Sequence, residues 1–180
     1  MQEEIQLTWS EIYNIKQLES ALNSSGLYIW LMQFDGKLIP YYVGESSNIR
    51  KRLGNHLSCL LGGLYDIYPV SDMRNFVKYK RDKKGLIYSP ASDLKLLDFV
   101  DRFDEIKPHL IGMIQNFFFT FATYIHKRED INESSALHDI EKSIINKIGF
   151  DNLSNANGGE PYYFKVNNTL PHQIEKHFKN

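Results

Sequence analysis

Cysteine is nearly absent: Cys59 is the only one among 180 residues, so no disulfide can form within the chain. No apolar run is long enough to span a bilayer. The first nine residues, MQEEIQLTW, include acidic side chains and lack the apolar core of a signal peptide. We therefore expect a cytoplasmic protein with no membrane partner.

An excess of one charge is also missing, because the formal net charge is -1. Total charge therefore gives no argument for nucleic-acid binding, which has to rest on local clusters. The length predicts one domain. We expect a core at 26–62 and 110–157, an insertion at about 63–109, and terminal additions at 1–25 and 158–180.

A hairpin that runs into a helix is the clearest local pattern. Two apolar, aromatic-rich segments, 26–34 and 38–44, flank Asp35-Gly36, and an Asp-Gly pair between such segments is a strong hairpin signal. Ser46 and Ser47 could then cap a helix. The apolar residues of that helix recur at helical spacing: Ile49, Leu53, Leu57 and Leu60.

Five further elements are predicted from periodicity and capping residues. An amphipathic helix is expected over 10–22, and the apolar segment 110–125 is typical of a central strand. A helix should begin near Asn132 or Ser134 and end at Gly149. A short strand over 162–166 and a terminal helix from residue 171 should follow.

Glu141 interrupts the apolar face of the predicted helix that ends at Gly149. Leu137 and Ile144 flank it at helical spacing, so its carboxylate should point at the sheet. A carboxylate in that position is costly unless it is paired or holds a cation. It is therefore either the ion-pair partner of Arg52 or a metal ligand.

A basic cluster lies over residues 74–84, with six basic residues and one acidic residue. Its basic members are Arg74, Lys78, Lys80, Arg81, Lys83 and Lys84. Such a run is often only a solvated face. With Phe76 and Tyr79 interleaved, it would also suit DNA phosphates and base stacking.

Six features in register resemble the GIY-YIG nuclease superfamily of homing, repair and restriction endonucleases. They are Gly26-Leu27-Tyr28, Tyr42-Val43-Gly44, Arg52, His56, Glu141 and Asn155. Arg52 follows Tyr42 by ten positions, and His56 follows Arg52 by four. Asn152 and Asn157 compete with Asn155 for the asparagine position. Glu45 departs from the lysine of the repair enzymes.

The resemblance implies an α+β fold, with a small three-stranded antiparallel sheet flanked by helices. It implies a DNA substrate and one divalent ion, Mg²⁺ or Mn²⁺, held by Glu141. The implied catalytic residues are Tyr28, Tyr42, Arg52, His56, Glu141 and Asn155.

Phosphodiester hydrolysis gives each of these residues a role. Arg52 would bind the phosphate bidentately, and the two tyrosines are candidates for activating water. A phenol acts as a base at neutral pH only if a cation favours its phenolate, as Arg52 and a metal would. His56 would accept a proton or orient a tyrosine.

One shared site requires Tyr28 and Tyr42 on the same face of the hairpin. With a two-residue loop and a regular ladder, Tyr28 would lie opposite Val43 and the two tyrosines would face opposite sides. An odd-numbered loop, or a β-bulge at Pro40, would bring them to one face. We predict one of these two irregularities.

The expected function is a metal-dependent DNA endonuclease. One alternative is an inactive nucleic-acid-binding module in which Glu45 spoils the phosphate site. A third is a protein-interaction domain with a structural Arg52–Glu141 ion pair. A restriction-type role would need cuts in both strands, for which a homodimer is the expected form.

Overall fold

The computed structural model describes residues 2–77, 82–90, 95–126, 128–155, 158–167, 170–171 and 174, with only the backbone of 95 and 96. Within these ranges the fold is α+β, with an antiparallel sheet and flanking helices. No helix in the described part of the chain combines the length and apolar character needed to cross a membrane.

The main sheet has five strands and not the three predicted. Its strands are β2 (Leu7–Trp9), β3 (Tyr13–Asn14), β4 (Gly26–Phe34), β5 (Lys37–Ser46) and β6 (Phe117–Tyr124). The order is β2-β6-β4-β5, and β3 also pairs with β6. The three long strands form the antiparallel unit that was expected, and the two short N-terminal strands extend it.

The β4–β5 hairpin contains the predicted bulge. Its loop is the two-residue Asp35-Gly36 turn, with φ of 49° and 72°, as a type I′ turn requires. The register then shifts, because Trp30 pairs with Tyr42 while Leu31 pairs with Pro40. Tyr41 is the extra residue. Tyr28 therefore lies opposite Gly44, and the rings of Tyr28 and Tyr42 stack on one face at 6.2 Å.

In the part of the chain that the structure describes, four α-helices surround the sheet: α1 (Ile49–Leu61), α2 (Lys95–Asp101), α3 (Phe103–Asn116) and α4 (Glu133–Ile148). The N-cap of α1 is Asn48, which accepts from the Lys51 amide, and not Ser46 or Ser47. The predicted ends of α4 are confirmed, because Asn132 caps its start and Gly149, with φ of 92°, follows its last turn.

Each face of the sheet has its own core. Tyr28 and Trp30 belong to the core that contains α1 and α3, while Leu27 and Ile29 belong to the core that contains α4. This alternation follows from the two-residue period of a strand. β4 is buried on both sides from Gly26 to Met32, and its sequence there is accordingly apolar at every position and does not alternate.

Two predicted elements were wrong. Over 10–22 the chain forms β3 and a 3-10 helix, Ile15–Ser20, because the edge of β6 is paired there. Residues 110–116 belong to helix α3, and only 117–124 form the internal strand. Most of the predicted terminal helix from residue 171 lies outside the described residues.

The predicted insertion and terminal additions contribute to both cores. Ile67, Met73 and Phe76 from the insertion are buried with Tyr28 and α1. At the other end, β7 (Phe164–Val166) pairs in parallel with β1 (Glu3–Ile5). This pair packs on α4, where buried Asp139 accepts from three successive main-chain amides of Tyr162, Tyr163 and Phe164.

Replacing Gly44 with alanine should destabilise the protein by about 1–3 kcal/mol, because overpacking a filled site is costly. The new Cβ would lie 2.4 Å from Cζ and Oη of Tyr28, so the ring has to move. Urea unfolding of Gly44→Ala measures the change.

The matched control is Gly54→Ala in the middle of α1. Its Cβ would contact only Leu18, at 3.5 Å, so it should be neutral or stabilise by about 0.5–1 kcal/mol. Equal effects of the two substitutions would contradict the close approach of Tyr28 to Gly44.

Candidate active site at the β5 edge

A cavity of about 880 Å³ opens beside the edge strand β5. It collects side chains from the hairpin, from α1 and from α4. Among them are Tyr42, Arg52, His56, Tyr65, Glu141 and Asn155. The structure therefore brings most of the predicted site residues into the wall of one cavity.

Tyr28 lies behind this wall and is fully buried, at 0% exposure. Its hydroxyl connects the two predicted site residues of α1, Arg52 and His56. Arg52 Nε donates to Tyr28 Oη at 3.4 Å, and Tyr28 Oη lies 2.8 Å from His56 Nε2. Because Arg52 and His56 are one helical turn apart, both can reach this phenol.

The pKa values of both motif tyrosines are raised. For Tyr28 the causes are burial first and Tyr42 second, and they outweigh the lowering by Arg52. For Tyr42 burial and Glu141 raise the pKa, again against Arg52. The predicted effect of Arg52 is therefore present, but neither tyrosine is a phenolate at neutral pH in the metal-free protein.

His56 is only 8% exposed and lies between two phenols. Besides the contact of Nε2 with Tyr28, its Nδ1 lies 2.6 Å from Tyr65 Oη. Burial, and then the charge of Arg52, lower the pKa of His56 to about 4. The imidazole is therefore neutral at neutral pH, and it can accept a proton.

Glu141 lies beside two possible metal ligands, Glu45 and His138. One ligand atom from each of the three residues lies within 4.8 Å of the others. His138 and Glu141 are three apart on one face of α4, with Nδ1 and Oε2 3.4 Å apart. In the described part of the chain no ion pair joins Glu141 to Arg52, so the ion-pair alternative has no contact to support it.

The donor set suits a divalent cation. Burial first, and then the nearby Glu45, raise the pKa of Glu141, and His138 and Arg52 offset them only in part. A bound cation would relieve that repulsion. Carboxylate oxygens suit Mg²⁺ and Mn²⁺, while an imidazole ligand favours a transition-metal ion such as Mn²⁺ over Mg²⁺.

Asn155 lines the cavity and also binds the main chain of β5. Its side chain accepts from Val43 N–H at 3.0 Å and donates to Val43 C=O at 2.7 Å. The neighbouring Ser154 amide donates to Tyr41 C=O. Asn155 therefore positions the strand that carries Tyr42, and its catalytic role stays a prediction. Asn152 instead donates to Ile148 C=O, and Asn157 lies outside the described residues.

The predicted DNA-binding run is only partly within the described chain. Arg74 lies over the Phe34 ring at 5.2 Å, and Lys83 pairs with Asp66 and lines the cavity. Lys84 is exposed. Phe76 is buried at 2% exposure and cannot stack on bases. Lys78, Tyr79, Lys80 and Arg81 lie outside the described residues.

Sequence reasoning missed Glu45, His138 and Tyr65. The i, i+3 spacing of His138 and Glu141 puts them on one helix face, and it was a readable signal for paired ligands. Glu45 was noticed only as a departure from the family pattern. No sequence pattern predicts that Tyr65 belongs to the site, because its contact with His56 depends on the direction that the chain takes after the C-terminus of α1.

As the pH is lowered from 6.5 to about 4, the free energy of unfolding should decrease, partly because of His56. In this range the unfolded chain binds a proton at His56 and the folded protein does not, so acidification favours unfolding. The contribution is about 3 kcal/mol. Urea unfolding at several pH values should show a shallower slope for His56→Gln than for wild type. Identical slopes would contradict a neutral buried His56.

Asn155→Ala should destabilise the protein by about 2–4 kcal/mol, because it leaves both main-chain groups of Val43 without partners. Asn152→Ala is the matched control. It removes one bond to a helix terminus and should cost about 1 kcal/mol or less. Thermal or urea unfolding compares them, and equal losses would exclude the positioning role of Asn155.

Searches of protein-family models, curated proteins and solved structures found no match for this chain. The resemblance to the GIY-YIG nucleases therefore stays a prediction from the sequence motifs alone.

Proposed function

We propose that this protein is a metal-dependent endonuclease of the GIY-YIG type that hydrolyses DNA phosphodiester bonds. The observation that carries the proposal is the convergence on one cavity. Arg52, His56 and Tyr42 line one part of its wall, and Glu141 lines another. A phosphate-binding cation, a neutral base and a metal-binding carboxylate are the groups that this reaction needs.

Arg52 would bind the non-bridging oxygens of the scissile phosphate. Its side chain is exposed, and its charge is permanent at working pH. Lys83 and Lys142 also line the cavity, so a polyanion would meet further positive charge at the same opening. The basic residues Arg74 and Lys84, with Lys78, Lys80 and Arg81, remain our proposed outer contacts to DNA.

Tyr28 is the better candidate for activating water, because it alone of the two motif tyrosines has a hydrogen-bonded imidazole behind it. The attacking water would give its proton to Tyr28 Oη while the hydroxyl proton of Tyr28 passes to His56 Nε2. This transfer avoids a free phenolate, which burial disfavours. Arg52 Nε donates to the Tyr28 hydroxyl, so a movement of Arg52 toward a phosphate would free a lone pair of that oxygen for water.

Glu141, Glu45 and His138 would hold the divalent ion. When bound, the ion would supply positive charge to the developing phosphorane and the leaving oxygen. Glu45, which argued for an inactive module, lies with Glu141 and supports an active site instead. Its negative charge would serve the metal and would not repel the phosphate.

Supercoiled plasmid should be nicked by the wild-type protein with Mn²⁺, and more slowly with Mg²⁺, because of the imidazole ligand. Glu141→Gln keeps the size of the side chain and removes its charge. It should lower the cleavage rate by about 100-fold or more. Gel quantification of nicked and linear product gives the rate.

Glu129→Gln is the control, since Glu129 is exposed and is not part of the cavity wall. It should cut like wild type. If neither metal supports cleavage but the protein binds DNA in a salt-sensitive way, the endonuclease hypothesis is rejected in favour of an inactive DNA-binding module. Absence of both cleavage and binding would exclude a nucleic-acid function.

A further inference from the structure

His56 has a phenol at each ring nitrogen, and the proposed reaction uses only one of them. Tyr28 Oη is 2.8 Å from Nε2, and Tyr65 Oη is 2.6 Å from Nδ1. The rings of Trp30 and Tyr42 pack against the imidazole in T-shaped arrangements, with centroids 5.4 and 5.6 Å away. Arg52 is the nearby charge that acts on it.

The direction of these hydrogen bonds follows from the donors. A guanidinium can only donate, so the Arg52 contact uses a lone pair of Tyr28 Oη. If His56 Nε2 also donated to this oxygen, the hydroxyl hydrogen of Tyr28 would be buried with no acceptor among its described contacts. An unsatisfied buried donor is costly. Tyr28 therefore donates to Nε2.

The proton of the neutral imidazole must then sit on Nδ1, because neutral histidine carries one N–H. Nδ1–H donates to Tyr65 Oη. Tyr65 is thus the acceptor that stabilises the tautomer with an unprotonated Nε2.

The turn at the C-terminus of α1 places Tyr65 beside His56. Gly63 has φ of 69°, its amide donates to Leu60 C=O, and the Leu64 amide donates to Cys59 C=O. These are the two bonds of a Schellman motif, which reverses the chain at a helix terminus. The residue after Leu64 is therefore turned back beside the preceding turns of α1, where His56 lies.

We propose that Tyr65 is a positioning residue that fixes His56 as the Nδ1–H tautomer, so that Nε2 can take the proton of Tyr28. The role in the reaction rests on the proposed nuclease function. The tautomer itself does not. When Nε2 gains the proton, Tyr65 still accepts from Nδ1–H and stabilises the imidazolium.

Histidine-labelled protein allows a direct test by ¹⁵N NMR, with no DNA present. In wild type at neutral pH, Nδ1 of His56 should be protonated and Nε2 bare. Tyr65→Phe keeps the ring and removes the acceptor, so the population should shift toward Nε2–H. A wild type with Nε2–H, or a variant with an unchanged spectrum, overturns the proposal.

Cleavage kinetics provide the second readout. Tyr65→Phe should lower kcat by about 10–100-fold and leave KM for DNA unchanged, because Tyr65 acts on proton transfer and not on DNA binding. Tyr162→Phe, a substitution at a 78% exposed tyrosine, should match wild type. An unchanged kcat for Tyr65→Phe overturns the positioning role. If wild type cuts no DNA, the nuclease function fails, and the NMR result alone decides whether Tyr65 sets the tautomer.

Discussion

The register shift in the β4–β5 hairpin is the constraint on which the candidate site depends. One extra residue, Tyr41, reverses the facing of every β5 side chain on one side of the bulge relative to a regular ladder. With it, Tyr28, Trp30 and Tyr42 share the face that α1 covers, where Arg52 and His56 can reach the phenols. Gly44 is part of the same arrangement, since the Tyr28 ring occupies the space where a side chain would stand.

The open edge of β5 then joins groups from both faces of the sheet. Helix α1 supplies Arg52 and His56 on one face, and helix α4 packs on the other and brings Glu141 to the shared cavity. The loop at Asn155 covers part of the edge through Val43. A phosphodiester at this edge could contact residues from both layers at once, which neither flat face of the sheet would allow.

Local chemistry made several features predictable. Asp35-Gly36 identified the turn, and Asn132 and Gly149 identified the ends of α4. The need for one shared face predicted either an odd-numbered loop or a bulge, and the structure has the bulge. Other predictions, made from local sequence patterns, were wrong because strand pairing in the folded protein outweighed the local preference. The apolar pattern over 10–22 fits a helix, yet part of that segment pairs with β6. The end of α3 and the start of β6 are both apolar, so the sequence pattern did not show where the helix ends and the strand begins. Glu45 and Tyr65 reach their partners through strand register and a helix terminus, which residue spacing alone does not encode.

The parallel pairing of β1 with β7 has a consequence for how the protein folds. It joins residues 3–5 to residues 164–166, and the same segment anchors Asp139 of α4 through three main-chain amides. Contacts between such distant parts of a chain form slowly, because the entropy cost of closing the loop is incurred before the contacts stabilise the structure. The helix that carries His138 and Glu141 should therefore become fixed late. The hairpin with its tyrosines can form from neighbouring residues, whereas the three main-chain contacts of Asp139 need the distant segment 162–164 in place.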